Sequence, residues 1–263
     1  MITDIHTHAF PDAMADRTIR TLEGETELAV ARLDGRVSSL LASMDKVGIG
    51  RSVVCSIATK PAQFGKILSW CGQIRSERII PFPSVHPQDP AAQARVGQIA
   101  DAGFKGLKMH PYYQEFDVDS ERVFPIYEEL CRRGLILVLH TGFDIAFPRI
   151  RRGDPQRIVR VIEAFPTLKL VTTHFLAWDD WEEAAKYLIG KPVYTDFSMT
   201  FPFIGSERVR AMVLKHPREY VLFGTDSPWQ DQGEEIARFR ALKLGAEWEQ
   251  AVLVDNARRL LGM

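Results

Sequence analysis

The chain opens MITDIHTHAF (residues 1–10), a short apolar and β-branched run that ends in His6-Thr7-His8. In a doubly wound open sheet, the turn after the first strand is where a glycine-rich phosphate loop would stand. Here two imidazoles occupy that place. Residues i and i+2 of a strand face the same way, so His6 and His8 can aim at one small target. That favours a closed sheet whose strand ends converge, and the rest of the chain bears on the choice.

Similar runs recur along the sequence. ITDIH (2–6), RSVVCSI (51–57), IIPFPSV (79–85), FKGLKMH (104–110), LILVLH (135–140), KLVTTH (169–174), VYTDFS (193–198) and VLFGTD (221–226) read as strands. Their continuous apolar character suits parallel strands covered by helices. Helical periodicity fills the intervals. Val37, Leu40, Leu41, Met44 and Val47 follow the i, i+3, i+4, i+7 rule, as do Ala92, Val96, Ile99 and Ala100. Asp154-Pro155 is a helix-entry signal, and Pro166 stops the segment it opens. The predicted fold is α/β: a (β/α)8 TIM barrel, one domain over residues 1–263. It is distorted by a longer first connection, about residues 10–50, with a short helix or lid around Ala15–Leu33. No linker, low-complexity tract or fixed-period repeat divides the chain.

Composition narrows the function. With 46% apolar and 25% charged residues and a net charge of -1, the chain has neither a nucleic-acid footprint nor a basic membrane-binding surface. No stretch approaches the roughly 18 to 20 apolar residues of a membrane span. Cys55, Cys71 and Cys131 form no CxxC pair and no disulfide framework, which fits a reducing compartment. The amino terminus runs into a strand without a basic n-region or a long apolar h-region, so a cytoplasmic location is expected.

Of the seven histidines, His6, His8, His86, His110, His140 and His174 fall at or just past a predicted strand end; His216 lies in a helix tail. In a barrel those ends converge on one face, where catalytic groups gather. Neutral imidazoles are good ligands for zinc and similar divalent ions, and three or four with a carboxylate build an open catalytic site. Asp226, in FGTDSPW at the end of the eighth run, is the carboxylate the pattern supplies.

DIHTHAF, GLKMHP, LVLHTG, LVTTHF and FGTDSPW together resemble the amidohydrolase superfamily, within it the amidohydrolase-2 group that includes aminocarboxymuconate-semialdehyde decarboxylase. The resemblance runs essentially the full length and implies a ligand set of His6, His8, His140 and Asp226. It implies that His174 binds a second ion or acts on the substrate. It also raises a carboxylated Lys108 bridging two metals, against the simpler reading of Lys108 as a partner for an anion. Leu176 departs from the glycine that relatives commonly carry two residues after the sixth-strand histidine, which puts the local pocket shape in question.

The expected reaction is metal-assisted hydrolysis of an amide, lactone or ester bond in a small, anionic molecule. Zinc is the first expectation and manganese the second, with one ion or two. Asp226 would take a proton from the attacking water, and His174 would donate to the substrate oxygen, worth about 3 kcal/mol. His110, Arg149 and Tyr112 are candidate substrate or second-metal residues; Arg151, Arg152, Tyr113, Trp178, Trp181, Trp229 and His86 are weaker ones. The same residues would serve a non-oxidative decarboxylase, a lyase acting on an aromatic or muconate-like acid. A non-catalytic metal-binding module is the reading from another class. Small-molecule substrates, and a homo-oligomer as often found among such barrels, complete the expectation, with no nucleic-acid or membrane partner.

Overall fold

Strand β1 (Ile2–Thr7) pairs in parallel with β2 (Ile49–Cys55), which pairs with β3 (Ile79–Phe82). A second parallel sheet runs through β4 (Gly106–Met109), β5 (Ile136–Leu139), β6 (Lys169–Thr172) and β7 (Tyr194–Thr195). The computed structural model describes residues 1–263. The two sheets are the halves of one α/β barrel, joined where regular ladders fail.

Between β3 and β4, prolines at 81 and 83 remove two ladder donors, and the join is made instead by Lys108 N–H on Pro83 O at 2.8 Å. On the other side lies VLFGTD, expected as an eighth strand. It is extended but not a regular strand, because each flank makes only scattered bonds. Leu222 N donates to Thr195 O at 2.8 Å, Ile5 N to Phe223 O at 2.8 Å, and Asp226 N to His6 O at 2.8 Å. Gly224 is required in this seam: a Cβ there would stand 2.8 Å from the Asp196 Cβ and 3.1 Å from that of His6. The barrel therefore has eight staves and seven regular strands.

Helices follow the strands: α1 (Asp12–Glu23), α2 (Val37–Val47), α3 (Phe64–Ile74), α4 (Ala92–Asp101), α5 (Phe124–Arg133), α6 (Pro155–Ala164), α7 (Trp181–Tyr187), α8 (Phe201–Val213) and α9 (Gln232–Ala241). Asp154 caps α6, its carboxylate accepting from Arg157 N, with Pro155 in the first turn as expected. Helix α1 answers the expected lid segment, and α3 and the carboxyl-terminal turns were not anticipated. Those turns run from α10 (Ala246–Gln250) through a π-helical stretch, Ala251–Asp255, into α11 (Asn256–Leu261).

Ile5, Val53, Phe82, Val138, Val171 and Leu222, one from each of six staves, share an apolar cluster with Ala257, Leu260 and Leu261 of α11. Two larger clusters lie between strands and helices, one around α4 to α7 and one around α2, α8 and α9. Burial on both faces is why the strands read as unbroken apolar runs. The cysteines are unpaired, Cys55 and Cys71 buried. No helix is long and apolar enough to cross a membrane.

Candidate active site

His6, His8 and Asp226 come together at the seam between β1 and the eighth stave. Asp226 Oδ1 lies 3.3 Å from His6 Nε2 and 3.0 Å from His8 Nε2, and the two Nε2 atoms are 3.2 Å apart. The β1–β2 register slips between Asp4 and Thr7, just where the chain must turn both rings toward one point. His174 and Asp226 both adopt positive φ, 60° each, so the backbone is held in a disfavoured conformation where these side chains enter the site.

The protons on the rings can be placed from their partners. His8 Nδ1 is 2.8 Å from Cys55 O, a carbonyl that only accepts, so Nδ1 carries the hydrogen and Nε2 a lone pair. His6 Nδ1 faces Asp196 Oδ2 at 3.2 Å, with the same result. His174 Nδ1 donates to Ser198 O at 3.1 Å, leaving the lone pair on Nε2. His140 Nε2 donates to Phe143 O at 2.8 Å, leaving it on Nδ1. Burial pushes the pKa of His6 and His140 below the ordinary range and that of His174 down to about 4, so these rings are neutral near pH 7. Burial opposes ionisation of Asp226, and positive charge among His6, His8 and His174, which a bound cation would supply as well as a proton, pulls its pKa well below the usual carboxylate range.

Lone pairs from His6 and His8 and a carboxylate oxygen thus face one another with no proton between them. That arrangement calls for a cation. Ligand atoms around a tetrahedral ion with bonds near 2.1 Å stand roughly 3.4 Å apart, and the observed separations fit. The residues present suit a divalent metal.

His140 does not join this trio. Three of the four expected donors meet at one point; the His140 Nδ1 lone pair faces that of His174 Nε2, 3.0 Å away, a second proton-free pair that suits a cation. The cause is its other nitrogen, pinned by Phe143 O and 3.6 Å from Asp144 Oδ2. Asp144 also lies 3.3 Å from His110 Nε2, making a second cluster of potential metal donors. The rings of His110 and His140 stack, however, with centroids 4.1 Å apart and planes at 20°. Imidazole lone pairs and N–H bonds alike lie in the ring plane, so two stacked rings do not converge on one ion. Asp144 faces His110 Nε2, while the His140 Nε2 hydrogen stays on Phe143 O.

Lys108 is buried, 1% exposed, with Nζ 3.1 Å from His6 Nε2. Burial lowers its pKa, although Cys55 and nearby carboxylates work the other way. These groups floor a cavity of about 430 Å³, also lined by Phe10, Met14, Leu22, Trp70, Tyr113, Trp178 and Trp229. Gly142, at φ 87°, allows the turn after β5 to lie against the Trp178 backbone, where a Cβ would come within 2.2 Å.

Other expected substrate residues lie elsewhere. Arg149 is mostly exposed, ion-paired with Asp179 and stacked over the Phe143 ring. Arg151 pairs with Asp180 at 2.7 Å and Arg152 faces Asp117 at 3.8 Å; none of the three lines the cavity. The basic loop is thus neutralised by acids of its surroundings. Tyr112 spends its hydroxyl on Ile150 O and Gly142 O, at 2.7 and 3.0 Å, and holds the loop after β5. His86 accepts from Gln88 N at 3.1 Å, and Trp181 Nε1 donates to His174 O at 2.9 Å; both brace loops outside the cavity. Asp144, Asp196 and Ser198 were missed in the sequence. Asp196 and Ser198 repeat the i, i+2 strand-end spacing of the opening histidines, so the signal was there.

Residues 3–263 match the amidohydrolase family. A dihydroorotase from Azotobacter vinelandii is 29% identical over 113 residues, covering 39% of this chain and 32% of that protein, so the match spans about a third of this relative. A TIM-barrel protein from Bordetella bronchiseptica superposes with a TM-score of 0.78 at 18% identity, covering 99% of this chain and 98% of that one. A 5-carboxyvanillate decarboxylase from Novosphingobium aromaticivorans, complexed with manganese and a nitrobenzoic acid, gives 0.72 at 14% identity over 100% and 96%. At such identities the two structures speak to the fold, a TIM barrel.

Proposed function

The chain belongs to the amidohydrolase family, enzymes of the amidohydrolase or decarboxylase type that use a metal and act on small molecules, and on that premise we propose hydrolysis. The bond cleaved is a C–N or C–O bond of an amide, lactone or ester. The observation that carries this reading is the proton-free trio of His6 Nε2, His8 Nε2 and Asp226 Oδ1, opening onto a cavity with an ionised carboxylate at its floor. Zinc or manganese suits the trio.

When bound, the ion supplies Lewis acidity to a carbonyl and lowers the pKa of a water beside it. Asp226, ionised at neutral pH, accepts the proton of the attacking water and returns it to the leaving atom. His174 cannot donate to the substrate oxygen while neutral, because its one hydrogen is committed to Ser198. Its Nε2 acts as an acceptor instead, either toward the ion or toward a substrate proton. Lys108 Nζ carries N–H donors in either protonation state and takes over the donor role. The apolar wall keeps bulk water from the reacting atoms.

A variant Asp226→Asn tests the assignment: metal content falls little, and turnover falls by about 10² to 10⁴. Elemental analysis and a panel of amides, esters and lactones on the metal-loaded protein read both. A near wild-type rate removes Asp226 as the base, and undiminished activity after verified metal removal removes the metal. Decarboxylation is the second reading. Lys108, buried beside His6 on the cavity floor, is placed to hold a carboxylate next to the ion. Release of carbon dioxide from an aromatic acid would select it.

A further inference from the structure

Charge is distributed very unevenly around the cavity. Four charged residues line it. Asp144, Asp226 and Lys108 belong to the floor, and Lys66 stands exposed at the rim on α3. No arginine reaches it, since the loop arginines after β5 are engaged by Asp179 and Asp180 outside. Opposite the floor the wall is uncharged apart from Lys66: apolar and aromatic side chains interrupted by Thr18, Thr26, Thr59 and Gln63. Phe10, Met14 and Leu22 come from the first connection, Trp70 from α3, and Trp178 and Trp229 from the loops after β6 and the eighth stave. Tyr113 adds a ring whose hydroxyl is already given to Glu25 at 2.6 Å, so it offers the cavity no free polar tip.

We propose that the substrate is a flat, apolar molecule whose single polar or anionic function is the one that reacts, and that the α1 segment enforces this choice. The inference rests on the reading of this cavity as the substrate site of a metal-dependent enzyme. The space, about 430 Å³, is roughly three times the ~150 Å³ apolar cavity that holds a benzene, so one or two fused rings and a reacting head fit. Ring faces against tryptophan and phenylalanine supply contact area with little loss of freedom. A second carboxylate at the far end of such a molecule would lose water against Leu22 and Trp70 and find only the neutral Thr18, Thr26, Thr59 and Gln63 in partial exchange. Lys66 is the one cation at that end, and a pairing in open solvent recovers little. Substrates with charges at both ends are therefore excluded by the wall.

Three probes test this on the metal-loaded full chain by isothermal calorimetry: 2-naphthoate, 2,6-naphthalenedicarboxylate and adipate. The monoacid is expected to bind on the order of 100-fold more tightly than the diacid of the same rings, and adipate more weakly still. The variant Met14→Arg places a cation on the wall at a half-exposed position, so the fold is not at stake. It should narrow the gap between the two naphthalene acids at least about tenfold. Equal or tighter binding of the diacid to the unaltered protein overturns the proposal, as does failure of both naphthalene acids to bind. An unchanged gap in Met14→Arg removes the role given to α1. If 2-naphthoate binds as expected but no amide, ester or lactone is hydrolysed, the reaction assignment falls and the substrate class stands. If hydrolysis is seen only with doubly charged substrates, the reverse holds.

Discussion

Replacing Asp196 with asparagine should leave the barrel folded and weaken its hold on the metal, for a reason visible in four hydrogen bonds. Asp196 Oδ1 accepts from Ser198 N at 2.9 Å, from His174 N at 3.4 Å and from the Ser198 hydroxyl, while Oδ2 faces His6 Nδ1 at 3.2 Å. Two main-chain N–H groups fix which side of an asparagine must carry the oxygen. Its NH2 then faces His6 Nδ1, and two donors meet. With Ser198 Oγ, 3.1 Å from Nδ1, as the one acceptor left for that hydrogen, part of the His6 population moves its proton to Nε2, the atom 3.2 Å from His8 Nε2 and 3.3 Å from Asp226. A protonated nitrogen cannot bind a metal. Loss of an outer partner of this kind costs 10- to 100-fold in metal affinity, about 1.4–2.7 kcal/mol. Competition against a chromophoric zinc chelator reads the affinity, and thermal unfolding in excess chelator reads the fold. The melting temperature without metal should stay near that of the unaltered protein. If Asp196→Asn binds zinc within roughly twofold of wild type, the tautomer argument for His6 is wrong.

Three further outcomes follow from groups around the site. Glu235 is buried on α9 with one oxygen unpaired; burial raises its pKa to about 7 against the pull of Arg238, so its contribution to stability is full below pH 4.5 and is lost as pH rises through 7. That contribution is about 3 kcal/mol, and Glu235→Gln should flatten this part of a urea-unfolding profile taken from pH 5 to 8; an unaltered slope rejects it. Leu176→Gly relieves a φ of 79° worth about 1 kcal/mol but empties a fully buried site worth about 3 kcal/mol, so it should destabilise by about 2 kcal/mol in denaturant titration, and a stabilised variant would refute the balance. Tyr113→Phe frees Glu25 and with it the segment after α1; KM should rise up to about fivefold with kcat kept, and an unmoved KM would show that this bond is no latch.

The barrel was legible because parallel strands buried on both faces leave unbroken apolar runs, and LILVLH and KLVTTH could hardly be read otherwise. Helix α3 was not, since FGKILSWCGQI carries glycines at 65 and 72 that lower its helical propensity, and packing against β3 holds it. VLFGTD was placed correctly but not as an irregular stave, because only contact with Asp196 and His6 makes Gly224 necessary. The glycine missing at Leu176 has a structural meaning: the residue stands at positive φ, and its N–H, bonded to Thr195 Oγ1 at 2.7 Å, holds it there. At the site, residue types and spacing brought His6, His8 and Asp226 to one rim. They could not say which nitrogen each ring would offer. That is decided for His8, His140 and His174 by the carbonyls of Cys55, Phe143 and Ser198. A backbone acceptor leaves no mark in a side-chain pattern, so the nitrogen that each ring presents emerges only when the end of β2 and the loops after β5 and β7 are in place.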